Sequence, residues 1–329
     1  MPLLSVKNLR VEIPSRRATL VAIDGVSFDI ADGEVLGFVG ESGAGKSVTG
    51  TTIIGLLDPP ARRTQGEIEF AGRRIDDLTP EAMRNLRGRY IGAVFQDPLT
   101  SLNPLISVGR QLVQTIMTHL NVSSAEAKQR ATRMLTEFGV PAAGERLGSY
   151  PHELSGGMRQ RVMLALAFCC EPRLVIADEP TTALDVSVQA QVLDMFKRIC
   201  RERGTAVMLI THDMGVIAET ADRIAVMYAG RLIEIGPARA VLKAASHPYT
   251  RGLMDSVPRV HRRSAKLLQI EGTMPRLDAV PSGCAFHPRC SNRLPRCALE
   301  RPELHARNAT TAACWLNATS HDTGRFCRD

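Results

Sequence analysis

The sequence has 329 residues, of which 44% are hydrophobic, 23% are charged and 4% are aromatic. This balance excludes a disordered chain, suits one large domain with an appendage, and counts against a surface that stacks nucleic-acid bases. The net charge of +7 is concentrated near the C-terminus, where residues 251–329 contain 13 Lys and Arg but only seven Asp and Glu. A solvated basic surface, a lipid-facing patch, nucleic-acid binding and neutralisation of a bound anion are all open interpretations.

The N-terminal residues MPLLSVKNLRVEI lack the basic segment and the long apolar segment of a secretory signal peptide. No uninterrupted apolar run approaches the roughly 18 residues that a membrane-spanning helix needs. We therefore expect a protein of the cytoplasm, where disulfide bonds are disfavoured.

The first predicted elements are strands at residues 4–13 and 19–30, followed by a short buried strand, VLGFV, at residues 35–39. That strand leads directly into the glycine-rich segment GESGAGKS and then into a helical stretch at residues 48–57. The segment matches G-x-x-x-x-G-K-[ST], in the strand–loop–helix context that a phosphate-binding loop requires. We predict that eight consecutive residues bind a nucleotide, namely Gly40, Glu41, Ser42, Gly43, Ala44, Gly45, Lys46 and Ser47.

Two side chains of this phosphate loop have individual predicted roles. The backbone N–H groups and the positive end of the following helix would hold phosphate. Lys46 is predicted to reach the β- and γ-phosphates, and Ser47 is predicted to bind Mg²⁺. A chance glycine turn is the alternative.

Downstream, residues 97–153 have mainly helical patterns, whereas LVIA at 174–177 and AVMLI at 206–210 are apolar runs suited to central parallel strands. A helix is predicted between those strands, at residues 186–203, and a hairpin at residues 224–235. The alternation of buried strands with helices predicts an α/β fold.

An acidic pair follows the apolar run LVIA. A carboxylate at the end of a buried strand is well placed to hold Mg²⁺, and Asp178 is predicted to do so directly or through water. Glu179 is predicted to face the attacking water as a general base or positioning group. A helix cap or a surface acidic pair is the alternative interpretation.

The segment LSGGMRQ, residues 154–160, is a second phosphate-binding device, because Ser-Gly-Gly opens a predicted helix. Ser155, Gly156 and Gly157 would offer a hydroxyl and free N–H groups to an anion. One chain cannot easily direct two such loops at one γ-phosphate, whereas two chains arranged head to tail can.

With these motifs in this order, the chain resembles an ATP-binding subunit of an ABC transporter over essentially its whole length. The motifs that carry the resemblance are the phosphate loop, Gln96, the signature LSGGMRQ, the strand ending at Asp178, the segment ALD at residues 183–185, and His212. The resemblance implies that Gln96 contacts Mg²⁺ or the attacking water and that His212 holds the γ-phosphate. It also implies that Asp185 contacts the opposite subunit.

One feature departs from the family pattern. Family members usually stack adenine on an aromatic residue some 25 positions before the phosphate loop, but the corresponding stretch here, VEIPS at residues 11–15, has none. We expect Ile13 or a nearby side chain to pack on the base instead.

The resemblance implies a P-loop ABC ATPase cassette at residues 1–257, with a parallel core sheet, an antiparallel β subdomain, and a helical subdomain inserted at about residues 97–153. A small metal-binding extension is expected at residues 258–329, where the composition shifts towards Arg, Pro and Cys.

Within the family, the chain is most similar to the dipeptide, oligopeptide and nickel uptake group, through FQDPLTSLNP at 95–104, YPHELSGGMRQ at 150–160 and HPYT at 247–250. This implies a peripheral ATPase at the cytoplasmic face of the membrane, which energises peptide uptake by ATP-driven closure of a dimer. The implied partners are a second, distinct ATPase subunit, two membrane permeases and, indirectly, a solute-binding protein, with no nucleic acid. A soluble ABC ATPase acting on nucleic acid, and an importer of nickel, haem or glutathione, are the alternatives.

Cysteine occurs in two kinds of setting. Cys169, Cys170 and Cys200 lie in apolar helical patterns, which predicts core positions. Four others have the spacing C-x5-C-x6-C-x16-C, namely Cys284, Cys290, Cys297 and Cys314.

Four thiolates suit structural zinc, although zinc sites more often use closer pairs, and the wider spacings suit a 4Fe-4S cluster. Dipeptide-type members of the resembled family are associated with such a cluster. We therefore favour it over zinc and over unrelated thiols. Arg289, Arg293 and Arg296 are expected to lower the electrostatic cost of gathering these thiolates.

Overall fold

The computed structural model describes residues 1–16, 18–181, 186–256 and 270–317, without the side chains of residues 98, 99 and 186–188. The strands of the described residues are β1 (Leu4–Pro14), β2 (Thr19–Ile30), β3 (Val35–Val39), β4 (Arg62–Phe70), β5 (Arg73–Arg74), β6 (Ile91–Val94), β7 (Leu174–Asp178), β8 (Ala206–Ile210), β9 (Arg223–Tyr228), β10 (Arg231–Pro237), β11 (His305–Arg307) and β12 (Thr310–Ala312).

The helices are α1 (Lys46–Ile53), α2 (Pro80–Leu86), α3 (Pro98–Ser101), α4 (Val108–His119), α5 (Ser124–Glu137), α6 (Ala143–Arg146), α7 (Gly156–Phe168), α8 (Val186–Arg203), α9 (Met214–Thr220), α10 (Ala238–Ala244) and α11 (Pro248–Asp255). Short 3₁₀ turns occur at Pro151–Glu153, His287–Arg289, Pro295–Ala298 and Trp315–Asn317. The predicted strands, the helical region at 97–153 and the hairpin formed by β9 and β10 are all confirmed.

Two sheets organise the molecule. The antiparallel sheet has the order β2-β1-β4-β5, and the central sheet has the order β11-β12-β10-β9-β3-β8-β7-β6. Strands β9, β3, β8, β7 and β6 run parallel, whereas β10 and β12 are antiparallel to their neighbours. Sequence patterning thus gave the correct α/β class.

The central parallel strands form the core because both of their faces are covered. Every residue of β3 (VLGFV) and of β8 (AVMLI) is buried, as continuous apolar runs in parallel sheets require. Since the carboxyl ends of parallel strands lie at one edge, β3, β7 and β8 bring the loops that follow them to the same edge. That edge carries the predicted nucleotide site.

Helix α5 shows how local sequence defines an element of the helical region. Ser123 accepts a hydrogen bond from the backbone N–H of Glu126, while the Glu126 carboxylate accepts from the backbone N–H of Ser123. This capping box satisfies donors that the first turn leaves unpaired. The apolar residues Ala127, Ala131 and Met134 recur on one face and are buried against the helical neighbours.

The C-terminal residues enlarge the central sheet. Strand β12 pairs with β10, with Glu234 opposite Ala312. Phe286 packs its ring 5.3 Å from the rings of both Tyr228 and Tyr249. The predicted boundary between residues 257 and 258 lies outside the described residues and stays a prediction. Within the part of the chain that is described, no helix has the length and apolar character to cross a bilayer.

Candidate active site

The phosphate loop connects the end of β3 to the start of α1. Gly40, Gly43 and Gly45 all have positive φ angles, of 151°, 81° and 102°. A Cβ atom on Gly40 would lie 2.4 Å from the Met227 carbonyl oxygen, and one on Gly45 would lie 2.6 Å from the side chain of Ile23. Glycine is therefore required at these positions, because the loop turns tightly against neighbouring backbone and side chains.

Lys46 is a buried cation inside this loop. Its Nζ donates hydrogen bonds to the carbonyl oxygens of Gly40 at 2.7 Å and Glu41 at 3.1 Å. Burial lowers the pKa of Lys46, while the nearby charges of Glu179 and Asp178 act in the opposite direction. The ammonium is thus held within the concavity where a phosphate would sit.

Asp178 ends β7 beside the loop, as predicted. Ser47 donates a side-chain hydrogen bond to its carboxylate, while Oδ1 is buried without a hydrogen-bond partner among the described residues. Burial and the neighbouring charge of Glu179 raise the pKa of Asp178. A hydroxyl beside a buried, under-satisfied carboxylate oxygen fits Mg²⁺, which prefers oxygen ligands.

Glu179 is the centre of a hydrogen-bonded group. Its φ angle is 49°, in the left-handed region, and its backbone N–H donates to the Ile210 carbonyl at 2.8 Å. Gln96 Nε2 donates to Glu179 Oε2 at 2.9 Å, and His212 Nδ1 donates to Oε1 at 3.0 Å. The three predicted catalytic side chains are therefore in direct contact, although β6, β7 and β8 bring them from distant parts of the chain.

These groups surround one cavity of about 530 Å³. Its lining consists of residues 42–48 together with Gln96, Glu179 and His212. Ile13 is not among these lining residues; it lies in β1 opposite Leu20. Its contact with adenine stays a prediction.

The signature residues lie elsewhere on the described surface. Ser155 caps α7, where its Oγ accepts a hydrogen bond from the Met158 backbone N–H. A Cβ atom on Gly156 would meet nothing within 4 Å, so the space in front of this helix N-terminus is open. Neither Ser155 nor Gly156 nor Gly157 lines the cavity at the phosphate loop. Asp185 lies outside the described residues.

Sequence reasoning missed two contacts to the phosphate loop. The hydroxyl of Tyr249 accepts the backbone N–H of Glu41 at 2.9 Å, and Arg289 Nη1 donates to both carboxylate oxygens of Glu41, at 3.0 and 3.1 Å. The expectation that Arg289 serves the cysteines is therefore wrong, because its guanidinium is committed to Glu41. No local signal reveals a pairing between residues 248 positions apart.

The four C-terminal cysteines come together. The backbone N–H of Cys284 donates to the Cys297 carbonyl at 2.8 Å. Burial, with the charges of Cys297, Cys314 and Cys290, raises the pKa of Cys284 to about 11. Burial and the same kind of mutual repulsion raise the pKa of Cys290 and Cys314. Within the described residues, however, no group of three or more His, Cys, Asp or Glu has the arrangement of a site for a metal ion.

The other arginines of this region also have partners. Arg296 bonds to Glu300 at 3.2 Å and stacks 3.5 Å from the centre of the Trp315 ring, and Arg301 bonds to Asp24 at 3.0 Å. Of the three arginines expected to serve the cysteines, Arg293 does so in part. Its positive charge lowers the pKa of Cys290, whereas burial raises it. Arg289, Arg296 and Arg301 thus pair with carboxylates of the same chain.

Comparison with known proteins matches two parts of the chain. Residues 23–182 match the ABC transporter family, and residues 233–297 match the family described as oligopeptide/dipeptide transporter, C-terminal region. The dipeptide transport ATP-binding protein DppD of Bacillus subtilis is 48% identical, covering 95% of this chain and 94% of the relative. The oligopeptide transport ATP-binding protein OppD of Escherichia coli is 46% identical, covering 95% of this chain and 93% of the relative.

The fold has solved counterparts as well. The ATP-binding cassette MJ0796, in a dimeric post-hydrolysis structure bound to ADP and Pi, superposes with a TM-score of 0.66 at 27% identity. The match covers 72% of this chain and 99% of that cassette. Motif order, site geometry and full-length similarity agree, and the chain belongs to the ATP-binding subunits of ABC transporters, in the group that carries the oligopeptide/dipeptide transporter C-terminal region.

Proposed function

We propose that this protein hydrolyses ATP to drive the import of di- and oligopeptides across a membrane. The observation that carries the proposal is the contact of Gln96 and His212 with Glu179 at the cavity of the phosphate loop. The names of relatives that are 41–48% identical supply the substrate class.

Each residue of the cavity has a defined part in hydrolysis. The loop N–H groups and Lys46 bind the phosphates, and ATP displaces the Lys46 ammonium from the carbonyl oxygens that it contacts here. Ser47 and Asp178 would hold Mg²⁺, which neutralises charge on the phosphates when bound. Glu179 accepts a proton from the attacking water, and Gln96 and His212 orient that carboxylate and the γ-phosphate.

A second ATPase subunit completes the site in this proposal. The open N-terminus of α7, with Ser155, Gly156 and Gly157, is available to the γ-phosphate of a partner arranged head to tail. Asp185 would contact that partner. The partner is proposed to be a distinct homologue. To test this, the chain is mixed with candidate subunits and ATP-dependent dimerisation is measured by light scattering. Ser155→Ala is expected to lower the rate of ATP hydrolysis while leaving the free energy of unfolding nearly unchanged.

The membrane subunits have a candidate docking surface next to Gln96. The large apolar side chains of Phe95, Leu105, Met117 and Tyr150 are exposed, Leu105 to 85%. We propose that this helical region binds a coupling helix of a permease, in a complex with two permeases, so that the protein lies peripherally at the cytoplasmic face of the membrane. A solute-binding protein would act only indirectly, and no role for nucleic acid is proposed.

The four thiols of Cys284, Cys290, Cys297 and Cys314 are proposed to hold a 4Fe-4S cluster, with structural zinc as the alternative. The charges of these cysteines contribute to one another's raised pKa values, and thiolate donors suit both metals. The proposal rests on the spacing of the four cysteines and on the resemblance to dipeptide-type subunits, since within the described residues no group has the arrangement of a metal site. Analysis of iron, sulfide and zinc in anaerobically purified protein tests the cluster proposal. One equivalent of zinc without sulfide would show that the site holds structural zinc and not a cluster.

Transport by the complete complex tests the main proposal. In proteoliposomes containing the permeases, a second ATPase subunit and a solute-binding protein, di- or tripeptides are expected to stimulate ATP hydrolysis and to accumulate. The variant Lys46→Ala is the matched control, because it is expected to lose phosphate binding and with it both hydrolysis and uptake. Uptake of nickel, haem or glutathione in place of peptides would overturn the substrate class.

A further inference from the structure

The second residue of the phosphate loop, Glu41, is held by groups from the far end of the chain. Its backbone N–H is donated to Tyr249 in α11, its carbonyl accepts Lys46, and its carboxylate accepts Arg289. Two of these three contacts come from residues 208 and 248 positions away. The conformation of the loop therefore depends on α11 and, through Arg289, on the C-terminal region, residues 270–317.

The guanidinium of Arg289 is itself fixed on all sides. Nε donates to the Glu271 carbonyl at 2.8 Å, Nη2 donates to the Gly272 carbonyl at 3.2 Å, and Nη1 donates to Glu41. Its side chain is only 8% exposed. A planar group with several bonded nitrogens has little freedom to leave Glu41, so the pairing is a defined part of the fold.

The charge of Glu41 makes this pairing important for binding an anion. The carboxylate lies in the same loop whose N–H groups and ammonium would hold phosphate, and an unpaired negative charge there opposes ATP. Arg289 cancels that charge and holds the carboxylate on the side of residues 271–272. Neutralisation and positioning are thus supplied by one residue.

We propose that Arg289 is a positioning residue of the nucleotide site, through which the C-terminal region completes the phosphate loop within the same chain. This inference rests on the proposed binding of ATP by residues 40–47. In this proposal the C-terminal region contributes to the affinity for ATP, whereas Glu179 and the residues that contact it carry out hydrolysis. Substitution of Arg289 should accordingly raise the KM for ATP and leave kcat nearly unchanged.

The chain provides a matched control. Pro-Arg-Cys occurs twice, at residues 288–290 and 295–297, and both arginines precede one of the clustered cysteines. Arg289 reaches Glu41, whereas Arg296 bonds to Glu300 and stacks on Trp315. Equivalent substitutions at the two positions separate an effect on the phosphate loop from a general effect beside the cysteines.

The test measures binding of a fluorescent ATP analogue to the full-length chain, with Mg²⁺, below the unfolding temperature of each variant. Arg289→Met is expected to raise the Kd by about tenfold, whereas Arg296→Met is expected to stay within twofold of the unsubstituted protein. The double variant Glu41→Gln/Arg289→Met is expected to recover most of the lost affinity, because it has no unpaired carboxylate. Arg289→Lys keeps the charge and should bind more tightly than Arg289→Met.

Two results would overturn the inference. One is an Arg289→Met protein that binds as tightly as the unsubstituted chain. The other is a double variant as weak as Arg289→Met, since Arg289 would then support only the fold of the C-terminal region. Lys46→Ala distinguishes a failure of the underlying proposal: if it binds nucleotide normally, residues 40–47 are not the nucleotide site.

Discussion

The ATPase cassette and the C-terminal region, residues 270–317, are stabilised by different kinds of interaction. The cassette is built on continuous parallel strands whose residues are buried on both faces, such as β3 and β8. The C-terminal region has 3₁₀ turns and two three-residue strands. It obtains a core by adding β12 to β10 and by inserting Phe286 between tyrosines of the cassette. The dependence is mutual, because the cassette relies on this region to hold Glu41 in place.

The largest expected effect tests whether ATP hydrolysis depends on Glu179 of the cassette. Glu179→Gln should lower kcat by about 10²- to 10⁴-fold, because the amide cannot accept the proton of the attacking water. Steady-state ATP hydrolysis and nucleotide binding, measured side by side, should show lost turnover with retained affinity. The control Glu219→Gln changes an exposed carboxylate that only approaches Lys197 at 3.8 Å. Unchanged hydrolysis in Glu179→Gln would remove Glu179 from the proposed mechanism.

The next effect tests whether the C-terminal region shares a core with the cassette. Phe286 is 4% exposed and contacts Tyr228, Tyr249 and His247. Phe286→Ala should lower the free energy of unfolding by about 3–5 kcal/mol, through lost burial and a residual cavity. Urea unfolding followed by intrinsic fluorescence and circular dichroism measures it, with exposed Leu299→Ala as the control. A separate early transition of the C-terminal region would contradict the shared core.

A smaller effect concerns pH at the junction of the two regions. Burial, together with the charge of Arg251, lowers the pKa of His247 to about 3. In the unfolded chain, His247 binds a proton near its ordinary pKa of about 6.5, whereas in the folded chain it stays neutral at that pH. The free energy of unfolding is therefore highest above about pH 6.5 and falls as the pH decreases.

Between pH 7.5 and pH 5, this linkage should lower the free energy of unfolding by on the order of 2 kcal/mol. Urea unfolding of His247→Asn, which keeps a side-chain acceptor at the start of α11, should show less of this acid sensitivity. Equal slopes in both proteins would show that His247 is accessible to protons in the folded state.

The smallest expected effect involves an ion pair between the two regions. Arg301 bonds to Asp24, which also accepts Arg231 and Arg10. Arg301→Met should lower the free energy of unfolding by about 0–1 kcal/mol, since partly exposed pairs contribute little and Asp24 keeps two partners. The shift in Tm relative to Arg276→Met, an exposed control, measures it. A loss comparable to that in Phe286→Ala would mean that charge, rather than apolar packing, joins the regions.

Much of the site was predictable because its motifs are local. The phosphate loop needs glycine where φ is positive and where a Cβ would collide, and those requirements are visible in GESGAGKS. Asp178 and His212 follow apolar runs that become adjacent buried strands, so their location at one sheet edge followed from the pattern. The direct bonds from Gln96 and His212 to Glu179 were not predicted as such, since side-chain contacts depend on the packing of three strands.

Sequence by itself determined the α/β class, the strands β1–β3 and β7–β10, and the residues of the phosphate loop, because periodicity and backbone constraints act over a few positions. It assigned Arg289 to the wrong partner, since neighbours along the chain are a poor guide for a long side chain with several donors. Only the tertiary structure decided that Arg289 reaches Glu41 and that β12 extends the cassette sheet. Both contacts join segments that are far apart in sequence, and such long-range contacts are determined by the packing of the whole fold and not by local conformational preference.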